Sequence, residues 1–417
     1  MTRPATPIPT DLLTPLGAYL RLREEGAGSF LLESVERGRP GRYSFVGSGS
    51  RLCSLEEAEA GGEPVVGYLA YDYAATLEPT VPLPDEGPDL PESRFVAADR
   101  LVRFDHALGV AEALVGDADE LVERLEAPQP TTRGGGGGVA GETVRSPGRA
   151  AYERTVQVAQ DHICAGDAFQ IVVSQRAERP TSASALDLYR ALRRVNPSPW
   201  MFLLELEELA LVGSSPETLV RAERAGDVWK ASVNPIAGTT ERGDGDAELL
   251  LASDKDRAEH VMLVDLGRND LSRVCVPGTV RVERFLEPER FSHVTHLVSE
   301  VVGELEQGVT PFQLLRACFP AGTVSGAPKV RAMQIVSELE GYRRGPYAGA
   351  VGYQFPGEAL DTCIAIRTIV LADGVARMQA GAGVVVDSDP AAEHRECLNK
   401  LAALEAAIDL AEATFRS

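Results

Sequence analysis

Cys318-Phe-Pro-Ala-Gly-Thr-Val-Ser-Gly-Ala-Pro-Lys-Val-Arg331 sets two glycines, two prolines, a threonine, a serine and a lysine between two apolar helical runs. Gly322 and Gly326 allow backbone angles closed to other residues and let a ligand approach the main chain. Pro320 and Pro328 fix φ and remove donors, so the loop holds one shape. The helix expected over Lys329–Glu340 offers unpaired N–H groups and a positive dipole end, a seat for a carboxylate or phosphate. An ordinary helix–loop–helix turn accounts for the same residues. A Walker A loop is excluded, because Ala327-Pro328 separates the second glycine from Lys329.

Around this loop, strands and helices alternate without a strict βαβ repeat, which predicts an α+β fold with a largely antiparallel sheet. Ahead of it come helices over Arg149–Ala165 and Ala185–Val195, strands over Ala168–Arg176, Met201–Glu205 and Leu209–Gly213, and one long helix over Leu249–Leu271. Beyond it, Thr362–Leu371 and Ala376–Val386 read as strands and Pro390–Phe415 as a terminal helix. Near the N-terminus a turn is expected at Gly38–Gly41. Pro128, Pro130 and the run Gly134–Gly138 mark a flexible linker. The division is an N-terminal lobe over 1–126, a linker over 127–148 and a second domain over 149–417.

Acidic residues outnumber basic ones, 62 to 41, giving a net charge of −21 over 417 residues. Such a surface repels nucleic acid and anionic membranes, so neither is an expected partner. The six cysteines are scattered without a Cys-x-x-Cys pair, as free thiols in a reducing cytoplasm would be. No apolar run is long enough to span a bilayer.

Several groups carry candidate chemistry. Asp256 and Glu259 are three apart on a helix, and Glu393 and Glu396 repeat that spacing with Lys400 one turn further. Hard carboxylate donors suit Mg2+, and solvated acidic faces have the same pattern. Alternation along Thr362–Leu371 puts Arg367 on one face with Cys363, Ala365 and Ile369, where it can clamp a carboxylate or close an internal salt bridge. Gln379-Ala-Gly-Ala-Gly383 marks a bulge, a close ligand approach or a crossing of sheets. His296 is either a core histidine or a general acid or base. Glu217, after Ser214-Ser-Pro, either caps an element or donates a proton to a leaving hydroxyl if burial raises its pKa.

Taken in order, these segments are specific. Asp167-Ala-Phe-Gln-Ile-Val-Val-Ser-Gln175, Asn196-Pro-Ser-Pro-Trp-Met-Phe202, Gly213-Ser-Ser-Pro-Glu217, Pro235-Ile-Ala-Gly-Thr239, Ala258–Asp270, the opening loop, Asp361–Arg367, Gln379–Gly383 and Asn399-Lys400 resemble the chorismate-utilising enzymes, and within them the anthranilate synthase component I branch. The resemblance runs from Tyr152 to the C-terminus. A thinner match covers Leu31–Ser34 and Gly67–Asp72.

The resemblance implies a large two-lobed α+β fold, antiparallel sheets flanked by helices, and formation of anthranilate and pyruvate from chorismate and ammonia. It implies Mg2+ on Glu259 and Glu396, supported by Asp256 and Glu393. Arg367 and Tyr353 would hold the enolpyruvyl carboxylate with the Gly381-Ala382-Gly383 backbone, while Thr239, Thr323 and Lys400 line the site. Glu217 would be the general acid and His296 the proton-transfer group of the pyruvate-forming half. Water-adding relatives carry a lysine base where this chain has Gln170, so ammonia is the expected nucleophile. Aminodeoxychorismate synthases, the nearest alternative, carry a nucleophilic lysine where this chain has Ala237. A non-catalytic tryptophan-responsive subunit is the reading from another class. No cysteine lies on a glutaminase-type Gly-x-Cys-x-Gly turn, so a glutamine amidotransferase subunit is the implied partner. Glu33, Ser34, Asn196, Pro197, Pro199, Trp200 and Met201 match a tryptophan feedback pocket, with Trp200 where the family usually has tyrosine.

Overall fold

The computed structural model describes residues 8–24, 28–36, 39–130, 141–290 and 294–414. Its strands form two antiparallel sheets with helices outside. One runs, in order of pairing, from Ile8–Pro9 through Val110–Val115, Arg100–Asp105, Arg39–Gly49, Gly28–Glu36, Trp200–Glu205, Ala210–Ser215, Thr368–Ala372 and Val375–Val384 to Gln170–Pro180 and Gly326–Ala327. The other runs from Ile236–Glu241 through Val294–Glu304, Val228–Val233, Thr218–Ala225, Ala359–Ile364, Ala350–Phe355 and Val65–Leu69 to Ser93–Ala97 and Arg51–Cys53. Phe30, Phe45, Tyr68, Phe202, Leu211 and Val351 belong to one buried apolar cluster that draws on strands of both sheets.

Each sheet draws strands from both sides of the glycine run. Gly28–Glu36 pairs with Trp200–Glu205, placing Glu33 opposite Met201, and Val65–Leu69 pairs with Ala350–Phe355. Each sheet is therefore a mixture of early and late sequence. Gly134–Gly138 lie outside the described residues, as does part of the expected turn at Gly38–Gly41. Val144–Ser146, read as the end of the linker, pairs with Gln170–Pro180.

Two expected elements are divided. The long helix breaks into Asp246–Ala252 and Asp254–Ser272. Ser253 lies between them in extended conformation, and its hydroxyl accepts a bond from the Asp256 N–H at 3.2 Å. A side-chain cap of this kind competes with helix continuation. The single strand over Thr362–Leu371 is two, Ala359–Ile364 in one sheet and Thr368–Ala372 in the other. Arg367 stands at the crossover with φ 51°. A left-handed residue ends strict alternation, so the shared face expected for Cys363, Ala365, Arg367 and Ile369 does not form.

Candidate active site

The opening loop lies beside the strand that carries Gln170. Gly322–Ser325 forms one helical turn, then Gly326 and Ala327 pair with Ile171 and Gln170. Gly326 has φ 124°, and a Cβ on it would stand 2.2 Å from the Gln170 carbonyl oxygen. At Gly322 a Cβ would meet the Leu266 side chain at 1.9 Å. Both glycines accommodate the protein itself, where a ligand was expected. Lys329 Nζ is 2.8 Å from Asp270 and donates at 3.0 Å to the Cys318 carbonyl. That ammonium closes the base of the loop, so Lys329 is structural.

Gln170 is buried, and its Nε2 donates to Glu259 at 2.9 Å. The same nitrogen lies 2.6 Å from where a Gly383 Cβ would be. A Gly381 Cβ would meet the Tyr347 hydroxyl at 3.0 Å. The glycines of the Gln379–Gly383 motif therefore make room for two side chains. Ala382 between them is buried in the apolar cluster with Val173.

Glu217 follows the strand Ala210–Ser215 and lines an open pocket with Thr323, Asn234 and Asp270. Burial pushes its carboxyl up to about 7, while Thr323, Arg367 and Lys400 pull the other way. Thr323 Oγ1 lies near that carboxyl but is buried without a partner at hydrogen-bonding geometry. Burial presses the Arg367 pKa down; its neighbours include Tyr347, Glu217 and Glu396. Among the described residues no carboxylate reaches its guanidinium at ion-pair distance, which sets the salt-bridge alternative aside. Its left-handed backbone costs on the order of 1 kcal/mol, a strain that tends to mark functional sites.

His296 sits opposite Thr239 in the pairing of Val294–Glu304 with Ile236–Glu241. Its Nδ1 is 2.9 Å from the Gly238 carbonyl. A carbonyl only accepts, so Nδ1 carries the proton and Nε2 the lone pair. Burial lowers the His296 pKa, aided by Arg367 and opposed by the Gly238 contact, which keeps the ring neutral near pH 7. The Thr239 side chain lies outside the described ones. Ala237, on the same strand, is buried.

The carboxylate pairs occupy the N-terminal turns of two helices, Asp254–Ser272 and Pro390–Thr414. Burial raises the Glu393 pKa, as does repulsion from Glu396, while Ser388, Lys255 and Lys400 oppose them. Lys255 belongs to the Asp256–Glu259 helix, so the two helix starts face one another. Lys400 Nζ lies 2.6 Å from Glu396 and donates to the Gly381 carbonyl at 2.8 Å. Among the described residues no three His, Cys, Asp or Glu side chains form a preformed metal cage. Mg2+ uses one or two carboxylates completed by water and a substrate anion. The opposed hard-oxygen pairs fit that ion.

Tyr353 is placed elsewhere. Its ring stacks on Phe355 at 4.4 Å and contacts Phe45 at 4.8 Å, and it packs in the inter-sheet cluster that also holds Trp200. The tyrosine beside Arg367 and Gly381 is Tyr347, which sequence reading missed. Its only signal is the turn Gly345-Pro-Tyr-Ala-Gly349, whereas Tyr353 lies on a readable strand.

Glu33, Ser34 and Met201 come together as paired strands, joined by Asn196, Pro197, Pro199 and Trp200 at the strand's entry. The Tyr189 hydroxyl donates to Glu33, and Arg193 is 3.2 Å away. Asn196 Nδ2 donates to Ser214 at 2.7 Å, and Trp200 Nε1 donates to Thr218, next to Glu217, at 3.1 Å.

A two-sheet antiparallel fold converging a buried acid, a neutral histidine, a strained arginine and opposed carboxylates defines an enzyme site for a small anionic substrate. The family model for chorismate binding enzymes matches residues 37–406, and the chain belongs to that family. Anthranilate synthase component 1 of Thermus thermophilus is 43% identical, covering 97% of this chain and 97% of the relative. The protein of the same name from Streptomyces coelicolor is 44% identical over 97% of this chain and 88% of its own. The crystal structure of anthranilate synthase component I from Streptococcus pneumoniae superposes with a TM-score of 0.77 at 30% identity, covering 97% of this chain and all of that one.

Proposed function

We infer that the chain is the chorismate-converting large subunit of an anthranilate synthase, a lyase of tryptophan biosynthesis. Relatives of that name match it almost end to end. The observation that carries the reading is the electrostatic circle of Glu217, Arg367, Lys400 and Glu396, with Gln170 against Glu259.

The overall change is chorismate plus ammonia to anthranilate, pyruvate and water. Ammonia forms a bond to ring C2 while the C4–oxygen bond breaks. Glu217, protonated up to about pH 7, gives its proton to the departing hydroxyl, which leaves as water. The C2 proton then passes to Nε2 of His296 as the C3–oxygen bond breaks. Enolpyruvate leaves, takes up a proton as pyruvate, and the ring becomes aromatic. Gln170 cannot deprotonate water, which favours ammonia. Arg367, with Tyr347 beside it, holds the enolpyruvyl carboxylate. Thr323 and the Gly381–Gly383 backbone line the pocket in this reading, and the family resemblance assigns Thr239 to it as well.

Glu259 and Glu396 would hold Mg2+, with Asp256 and Glu393 supporting. When bound, the ion neutralises the ring carboxylate and draws charge from the ring. Ammonia comes from a separate glutamine amidotransferase subunit, consistent with relatives named as a component 1. The Glu33, Trp200 and Met201 group is the tryptophan feedback pocket in this reading. The setting is cytoplasmic: the described helices include none long and apolar enough to cross a membrane, and the cysteines are free.

The test is to incubate the protein with chorismate, Mg2+ and an ammonium salt, following anthranilate fluorescence and pyruvate. The reading expects both products in equal amounts. Release of an aminated ring without pyruvate would move the chain to the aminodeoxychorismate branch, which the buried Ala237 disfavours. No consumption of chorismate would favour a non-catalytic subunit.

A further inference from the structure

The short helix Asp246–Ala252 belongs to none of the groups above, yet its first residue is almost completely buried and densely bonded. Arg290 grips the Asp246 carboxylate, Nη2 to Oδ1 at 2.6 Å and Nε to Oδ2 at 3.1 Å. The Ala247 N–H donates to Oδ1 at 2.7 Å and the Gly243 N–H to Oδ2 at 3.3 Å. The Thr295 hydroxyl, fully buried, donates to Oδ2 at 2.8 Å. Thr295 immediately precedes His296.

A second path leads from the same helix to the same histidine. Buried Leu250 packs against Gly238, where a Cβ would lie 3.2 Å from the Leu250 side chain and 3.2 Å from the Asp256 Cβ. Gly238 supplies the carbonyl that holds His296 Nδ1. The helix thus touches both the strand bearing His296 and the bulge in the paired strand Ile236–Glu241 that fixes its tautomer, and that bulge abuts a carboxylate of the opposed pairs. A carboxylate gripped in a fork by arginine is a rigid anchor. Groups a step removed from the chemistry act by holding the reacting group in its orientation.

We propose that Asp246, anchored by Arg290, is a positioning residue for His296, acting through the Thr295 hydroxyl and the Leu250–Gly238 contact to hold the imidazole for the pyruvate-forming half of the reaction. The proposal rests on the function inferred above. It separates from general stability because amination does not use His296. Loosening the clamp slows elimination selectively, so the aminated, non-aromatic intermediate escapes before pyruvate leaves.

The experiment compares wild type, Asp246→Asn and Thr295→Val with chorismate, Mg2+ and ammonium, resolving anthranilate, pyruvate and released intermediate by chromatography, with thermal melts alongside. Removing one partner of a buried hydrogen bond costs enough for about a tenfold change. The expected result is an intermediate-to-anthranilate ratio raised about tenfold in both variants. Thr295→Val keeps the Asp246–Arg290 pair and decides the matter if Asp246→Asn does not fold. Equal loss of amination and elimination, without released intermediate, would show a structural anchor only and overturn the proposal. Unchanged kinetics in the folded variants would overturn it too. A wild-type protein that makes no anthranilate would instead overturn the function on which it rests.

Discussion

Gly326 presses against the carbonyl of Gln170 so closely that a Cβ would stand 2.2 Å from the oxygen. The loop and the nucleophile-side amide are therefore one object: moving either moves both. Gly326→Ala brings a clash with main-chain atoms, which cannot swing aside, and a φ of 124° that disfavours any side chain. The expected loss is at least about 3 kcal/mol of stability, together with nearly all turnover. Chemical denaturation and initial rates check it. An alanine variant with native stability would mean that the pairing of Gly326 with Ile171 does not form.

In the proposed reaction Glu217 sets the alkaline limit. Its carboxyl is raised to about 7 by burial, ahead of the opposing Thr323, Arg367 and Lys400. As a general acid it is competent below that value, so kcat should fall as pH rises through about 7. Glu217→Gln should lower kcat by about a hundred- to ten-thousand-fold and remove this limb from the residual rate. Stability follows the same sign. The folded pKa lies above the ordinary carboxyl value of about 4.3, so the folded chain binds more proton between the two. Its contribution is full below the ordinary value and is lost as pH rises through the folded one. Melting temperatures across that range should fall in wild type more than in Glu217→Gln.

Much of this was legible because motif residues sit on short, regular elements. Helix Ala185–Val195 has the expected bounds, and the strands bearing Gln170 and the Gly381–Gly383 backbone were readable from period and turn residues. What failed has a common cause: tertiary neighbours override local pattern. Alternation along Thr362–Leu371 is genuine apolar patterning, but each half is buried in a different sheet, and a period of two carries no record of which sheet. The glycines at 322 and 326 signalled close approach correctly without saying whether protein or ligand approaches. Tyr347 sits in the turn just before the strand Ala350–Phe355 and Tyr353 within that strand, and which of them reaches Arg367 depends on strands distant in sequence. The Asp246 anchor was invisible, since its partners Arg290 and Thr295 lie more than forty residues away.

The two tyrosines give a direct discrimination. Tyr347 borders Arg367 and Gly381, so Tyr347→Phe removes a hydroxyl from the substrate side. A hydrogen bond to a charged group supports a rise in KM for chorismate of about tenfold or more, with kcat less affected. Tyr353 packs among Phe45, Phe355 and the cluster holding Trp200. Tyr353→Phe should leave chorismate kinetics within about twofold and change inhibition by added tryptophan instead. Steady-state rates with and without tryptophan separate the outcomes. A KM effect from Tyr353→Phe alone would return that residue to the substrate pocket.

If Glu396 holds Mg2+ as proposed, Lys400 competes with the cation for it. Its ammonium lies 2.6 Å from the Glu396 carboxylate and is also tied to the Gly381 carbonyl, so it both pairs with that carboxylate and braces the glycine strand. Glu396 is half exposed, and its exchange for glutamine keeps shape while removing charge. Glu396→Gln should abolish turnover and weaken Mg2+ binding with an unchanged melting temperature, because an exposed ion pair stabilises the fold little. Lys400→Met should do the reverse to the ion. With its competitor gone, Glu396 repels Glu393 more strongly, and Mg2+ binding measured by calorimetry should tighten even as turnover falls for want of the brace on Gly381. Weaker Mg2+ binding in Lys400→Met would overturn the competition, and near-normal rates in Glu396→Gln would remove Glu396 from the metal site. The first outcome would leave Lys400 as the organiser of that carboxylate, while the second would move the cation to other oxygens.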